Sequence, residues 1–178
     1  MKIALVRHGQ TEENFLHKIQ GRSNAKLNEA GIRQCVRLKN KIKDKHFDYC
    51  YMSPMARCVE TAIIIIGDRV ETIPDDRLME RDMGELEGRD LQEYNSYQYW
   101  DYDLNRNDRG VEALQDVFKR CKEFLDDIKK KHPKGDILIV THSATYRALR
   151  YLIQKHALKG KMYDGYIDNC QYEEFEIK

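Results

Sequence analysis

The sequence predicts an α/β domain layered around a largely parallel sheet. Two observations carry this reading. Three apolar runs of strand length, Lys2–Val6, Phe47–Met52 and Asp136–Thr141, each hold β-branched or aromatic residues, and helical periodicities fall between them. Strands that alternate with helices require crossover connections, and crossovers pair strands in parallel. No internal repeat, low-complexity tract or linker interrupts the 178 residues, so one domain over 1–178 is expected.

Along the chain, Thr11 followed by Glu12 and Glu13 suits a helix cap and an acidic first turn. A helix over Gly31–Lys43 carries Ile32, Cys35, Val36 and Ile42. Ser53-Pro54 places a capping hydroxyl before a proline and predicts a helix over Pro54–Ile66, with Met55, Val59, Ala62, Ile63 and Ile66 inward. Asp82–Gly110 lacks a period and reads as an excursion off the sheet rather than a second domain. Val111–Lys131 has the clearest helical stripe: Val111, Leu114, Phe118, Cys121, Leu125 and Ile128. Ser143 or Thr145 opens a further helix, with Ala148, Leu149 and Leu152 inward. Gln171–Ile177 alternates as an edge strand.

Composition narrows the partners. Apolar residues make up 41% and charged residues 34%, as in a folded, well-solvated chain. A net charge of +1 favours neither nucleic acid nor an anionic membrane as partner. The longest apolar run, Ala62–Ile66, is far short of the roughly 20 residues of a membrane helix. The start, Met1 to Val6 and then Arg7-His8, has neither the length nor the cleavage site of a signal peptide, so a cytoplasmic location is expected. Five widely spaced cysteines with no Cys-x-x-Cys pair read as reduced packing thiols rather than a disulfide framework or a zinc site.

In open parallel sheets, ligands bind beyond the carboxyl ends of the strands. The three predicted strands deliver Arg7-His8-Gly9, Ser53-Pro54-Met55-Ala56-Arg57 and Thr141-His142-Ser143 to that edge. Two histidines, two arginines and helix N-termini suit an anion, and guanidinium forks suit phosphate. A neutral imidazole attacks phosphorus to give a phosphohistidine, with Arg7, Arg57 and the second histidine stabilising the oxygens. A carboxylic acid would protonate the leaving oxygen. Spacing alone does not separate Glu80 from Asp82 or Glu85 for that task. Other phosphate chemistries fit poorly: six residues, not five, separate Cys50 from Arg57, and no Gly-x-x-x-x-Gly-Lys loop is present.

Five motifs in order give the chain a family resemblance. They are Arg7-His8-Gly9-Gln10-Thr11-x-x-Asn14, the loop Gln20-Gly21-Arg22 through Asn28, Ser53-Pro54-x-x-Arg57-x-x-x-Thr61-Ala62, Leu78-x-Glu80 through Gly88, and Val140-Thr141-His142. Together they resemble the histidine phosphatase (phosphoglycerate mutase-like) superfamily over nearly the whole chain. The resemblance implies a three-layer α/β/α sandwich. It implies His8 as the phosphorylated residue, with Arg7, Arg57 and His142 around the phosphoryl group and Glu80 as proton donor and later base. Asn14, Gln20, Gly21 and Ser143 would line the phosphate or the attacked oxygen. The family's glycine after the second histidine is Ser143 here, and its Gly-Glu-Ser before the long helix reads Val111-Glu112-Ala113.

The expected activity is therefore metal-independent hydrolysis of a small phosphorylated metabolite, with no cofactor and the oligomeric state left open. The long insertion and tail of cofactor-dependent mutases find no counterpart, which favours a phosphatase. A phosphomutase using the same residues, and a phospholigand-binding regulator with little catalysis, stand as alternatives.

Overall fold

A computed structural model of the chain describes residues 1–177. Alternating burial along its strands sets the layering. In β1 (Lys2–Arg7), Ile3 and Leu5 face one side of the sheet and Ala4 and Val6 the other. The same alternation holds in β2 (Tyr49–Met52), between Tyr51 and the pair Cys50 and Met52. In β4 (Ile137–Thr141) it divides Ile137 and Ile139 from Leu138 and Val140. Strands buried on both faces need cover on both.

That cover comes from two helix pairs. One face receives α5 (Leu114–Lys131) and α6 (Ser143–Ile153) through Val117, Phe118, Phe124, Ala148 and Leu149. The other receives α2 (Glu29–Lys41) and α3 (Ala56–Ile66) through Cys35, Leu38, Cys58, Ala62 and Ile65. The result is the expected α/β/α sandwich. Lys129, Lys130 and Lys131 close α5, where cations suit the exposed carbonyl end.

With β3 at Thr72–Pro74 and β5 at Tyr172–Glu176, the five strands stand in the order β3-β2-β4-β1-β5. Pairing is parallel except at β5 (Tyr172–Glu176), which runs antiparallel along β1 with Val6 opposite Tyr172. The C-terminal edge strand is thus where its alternation predicts. The opposite edge, β3 (Thr72–Pro74), is only three residues long and gives the sequence no period to display.

Three local expectations are corrected. Ile32 and Val36 are 45% and 46% exposed, and α2 turns Gly31 and Leu38 inward instead, beside Cys35 as expected. Small residues let this helix lie close against the loop after β1: a Cβ on Gly31 would stand 2.1 Å from the carbonyl oxygen of Gln10. Ile63 is 58% exposed, because four consecutive isoleucines at about 100° per residue cannot share one face. Ser53 does not cap α3. That helix starts at Ala56 without a side-chain cap, and the Ser53 hydroxyl is engaged elsewhere.

Residues 82–110 form short 3₁₀ turns and one helical turn, α4 (Ser96–Tyr99). They pack through Met83, Leu86 and Tyr99 on Ile19 and Val111. Fully buried Arg81 ties the segment down, donating to the carbonyls of Glu112 and Tyr99, both at 2.7 Å.

Candidate active site

Parallel register brings the strand ends level. Arg7 stands opposite Thr141, and the ladder continues one step: the His8 N–H donates to the Thr141 carbonyl at 2.9 Å. The Ser53 N–H donates likewise to Val140 at 3.0 Å. His8, Ser53 and His142 therefore leave the sheet side by side, although far apart in sequence. The two imidazoles meet edge to face with centroids 5.2 Å apart.

Hydrogen bonding fixes both rings. Nδ1 of His8 lies 2.7 Å from the carbonyl oxygen of Gly9. A carbonyl only accepts, so Nδ1 carries the hydrogen and Nε2 keeps its lone pair. Nδ1 of His142 accepts from the Arg57 guanidinium at 3.1 Å, which leaves Nε2–H to donate to the Ser53 hydroxyl at 2.8 Å. Burial, with Arg57 next in weight, holds both histidines well below the ordinary range. Both are neutral at neutral pH.

Arg7 and Arg57 differ in what they have free. Arg7 donates one nitrogen to the Ile167 carbonyl, while its buried Nε has no partner among the described residues. Arg57 is wholly buried and fully engaged: besides His142 it donates to the carbonyls of Ser23 at 2.6 Å and Gly21 at 2.8 Å. The Gly21 carbonyl is presented by a backbone with φ of +52°, and a Cβ there would collide with the Glu87 carboxylate.

Glu80 sits at the N-terminus of α6. Its Oε1 accepts from the backbone N–H of Arg81 at 2.9 Å, Ala144 at 3.1 Å and Thr145 at 3.3 Å. Oε2 has a single long contact, to Ala144 at 3.3 Å. Helix-end N–H groups thus orient the carboxylate and leave one oxygen open.

A cavity of about 360 Å³ joins most of these groups. Of the residues singled out from the sequence, Arg7, His8, Asn14, Gln20, Gly21, Glu80 and Ser143 line it. Arg57 and His142 stand behind its wall. Asn14 forms a capping box with Thr11 in α1 (Glu12–Phe15). Its Oδ1 also accepts from Asn169 at 3.1 Å. Gln20 donates to the Thr11 hydroxyl at 2.9 Å.

Sequence reasoning missed Ser53 as the partner of His142, and Thr61, whose hydroxyl accepts from the Gly9 N–H at 3.0 Å. Both lie inside the second-arginine motif, which was their only signal. Arg147, Tyr163 and Tyr166 also line the cavity. The two tyrosines sit on an irregular loop without a period to mark them. Among the described residues no group of three or more His, Cys, Asp or Glu side chains is placed to hold a metal ion. No helix among them is long and apolar enough to cross a membrane.

Fold and site together define a three-layer α/β/α protein with two buried histidines side by side at the carboxyl ends of its strands, beside a cavity that one of them lines. The chain belongs to the histidine phosphatase superfamily (branch 1), whose family model matches residues 3–178. It is 34% identical over 158 residues to phosphoglycerate mutase-like protein 4 of Arabidopsis thaliana, covering 83% of this chain and 69% of that protein. It is 30% identical over 156 residues to phosphoserine phosphatase 1 of Hydrogenobacter thermophilus, covering 84% and 74%. Among solved structures it resembles a mutant phosphoserine phosphatase from Entamoeba histolytica in complex with phosphoserine. The TM-score is 0.86 at 27% identity, over 99% of this chain and 91% of that one.

Proposed function

We propose that the chain is a metal-independent phosphomonoesterase that hydrolyses a small phosphorylated metabolite through a phosphohistidine on His8. The observation that carries this reading is the state of His8: neutral, buried, and with Nδ1 tied to a carbonyl so that Nε2 faces the reaction as a nucleophile. Relatives named as phosphoserine phosphatases support small-molecule phosphate chemistry.

In this reading the phosphate dianion meets the guanidinium of Arg7, whose Nε is otherwise unpartnered among the described residues. Arg57 joins it by exchanging the carbonyls of Gly21 and Ser23 for phosphate oxygens, while His142 flanks the equatorial plane. Asn14, Gln20, Gly21 and Ser143 border the same space. Nε2 of His8 attacks phosphorus in line. The P–O bond breaks as Glu80 gives its proton to the leaving oxygen. Water then attacks the phosphohistidine, Glu80 takes the water's proton, and the P–N bond breaks to release phosphate and neutral His8.

The test is phosphate release from p-nitrophenyl phosphate in excess EDTA, comparing the native chain with His8→Ala. Turnover that survives EDTA and vanishes in the variant, with the fold intact, is the expected result. Full activity in His8→Ala overturns the nucleophile, and loss of activity in EDTA overturns metal independence.

A further inference from the structure

Beyond the phosphate end, the cavity is walled by Met83, Leu91, Tyr94, Trp100 and Tyr163. Three cationic side chains on the same walls, Lys18, Arg81 and Arg147, already have partners within the protein. Lys18 is paired with Asp90 at 2.8 Å. Arg81 gives its donors to backbone carbonyls. Arg147 is 3% exposed and binds Asp164 at 2.5 Å and the Gly165 carbonyl. Its guanidinium lies over two rings, 4.5 Å from the centroid of Trp100 and 4.9 Å from that of Tyr163. Among the described residues Glu80 is the one carboxylate lining the cavity, and backbone N–H groups already hold its Oε1.

This arrangement discriminates among leaving groups. An ammonium entering the cavity loses water and meets, among the described residues, only the open Oε2 of Glu80, the oxygen that the proposed proton transfer needs, so its burial is costly. A carboxylate meets a guanidinium whose donors are already held by Asp164 and the Gly165 carbonyl. A flat apolar group meets aromatic walls that reward stacking and burial. At about 360 Å³ the cavity is near the lower end of the roughly 300–1,000 Å³ typical of small-ligand sites, so it suits a phosphate with one ring.

We infer that the leaving-group subsite takes an uncharged, flat apolar group, and that the substrate is a phosphate ester of an aryl-alkyl or aromatic alcohol rather than of an amino or hydroxy acid. The inference rests on the phosphatase reading for turnover, but its binding preference is measurable without turnover.

Two esters of matched leaving-group type separate the possibilities: 2-phenylethyl phosphate carries a ring where O-phosphoethanolamine carries an ammonium. Calorimetry on the full-length His8→Ala chain should show the ring ester bound about tenfold or more tighter, and kcat/KM of the native chain should follow the same order. Leu91→Glu places a carboxylate on the wall at a position 43% exposed, where folding is not at stake, and should narrow that ratio at least about fivefold. Equal or tighter binding of O-phosphoethanolamine overturns the inference, as does a ratio unmoved by Leu91→Glu. Preferential binding of the ring ester with no hydrolysis by the native chain overturns the phosphatase reading and leaves the subsite standing. Binding of neither ester overturns both.

Discussion

Arg57 and His142, 85 positions apart, form one buried unit in which the guanidinium Nε–H donates to Nδ1 of the imidazole at 3.1 Å. This bond selects the tautomer of His142, whose remaining N–H then belongs to Ser53. The same guanidinium holds the Gly21–Ser23 loop by two carbonyls. One side chain therefore ties the second histidine to the loop that borders the cavity.

Arg57→Lys keeps the charge and loses the fork. An ammonium cannot serve His142, Gly21 and Ser23 in their present directions. The expected loss in kcat on p-nitrophenyl phosphate is about 10²-fold, the scale of one transition-state donor. Unpaired carbonyls should cost roughly 1–3 kcal/mol in stability, read by urea denaturation. Activity within twofold of native would show that charge alone suffices there.

Glu80→Gln separates the two proton transfers. An alkyl ester needs a proton on its leaving oxygen, so its turnover should fall about 10²–10⁴-fold. p-Nitrophenolate leaves without one, so the first step survives while water attack on the phosphohistidine slows. Rapid mixing should then show a burst of p-nitrophenol approaching one per enzyme molecule. Equal loss on both esters without a burst would remove Glu80 from the chemistry.

How far the sequence displayed these relationships follows from their physics. Strands at Lys2, Phe47 and Asp136 were legible because burial on both faces demands continuous apolar runs, and the residue after each such run locates the ligand edge. The helix stripes were legible in period but not always in phase. Choosing Ile32 over Gly31 followed hydrophobicity, whereas close approach of α2 to Gln10 at Gly31 decided the packing. The Arg57 contacts to Gly21 and Ser23 were invisible, since backbone carbonyls carry no residue-type signal. Nor does any local pattern announce that Tyr163 and Trp100 stack on Arg147.

Gly31→Ala tests that close approach. The added methyl would press on the backbone oxygen and nitrogen of Gln10, at 2.1 and 2.7 Å, neither of which is a flexible side-chain end. Overpacking of this kind costs about 1–3 kcal/mol. Because Gln10 follows His8 by two residues, kcat should fall with stability, and a chemical-denaturation midpoint unchanged from native would count against the packing described.

Acid sensitivity should come from His8 and His142 before any carboxylate. Burial first, and the neighbouring Arg57 next, keep both well below the ordinary value of 6.5 in the folded protein. The unfolded chain titrates near 6.5, so below that pH it takes up protons that the folded chain refuses. Stability from these groups is thus complete above about pH 6.5 and is lost as pH falls toward their folded values, at up to about 1.4 kcal/mol per pH unit for each histidine. For a chain of this length 1 kcal/mol corresponds to roughly 2–4 °C. Calorimetry should therefore show Tm falling by several degrees between pH 6 and pH 5. His132 is lowered as well, by burial and Lys131, and adds to the same slope. His8→Asn removes one proton from the balance, so its Tm should fall less steeply over that interval; a slope equal to the native one would mean that His8 is already charged in the folded state and is not the waiting nucleophile.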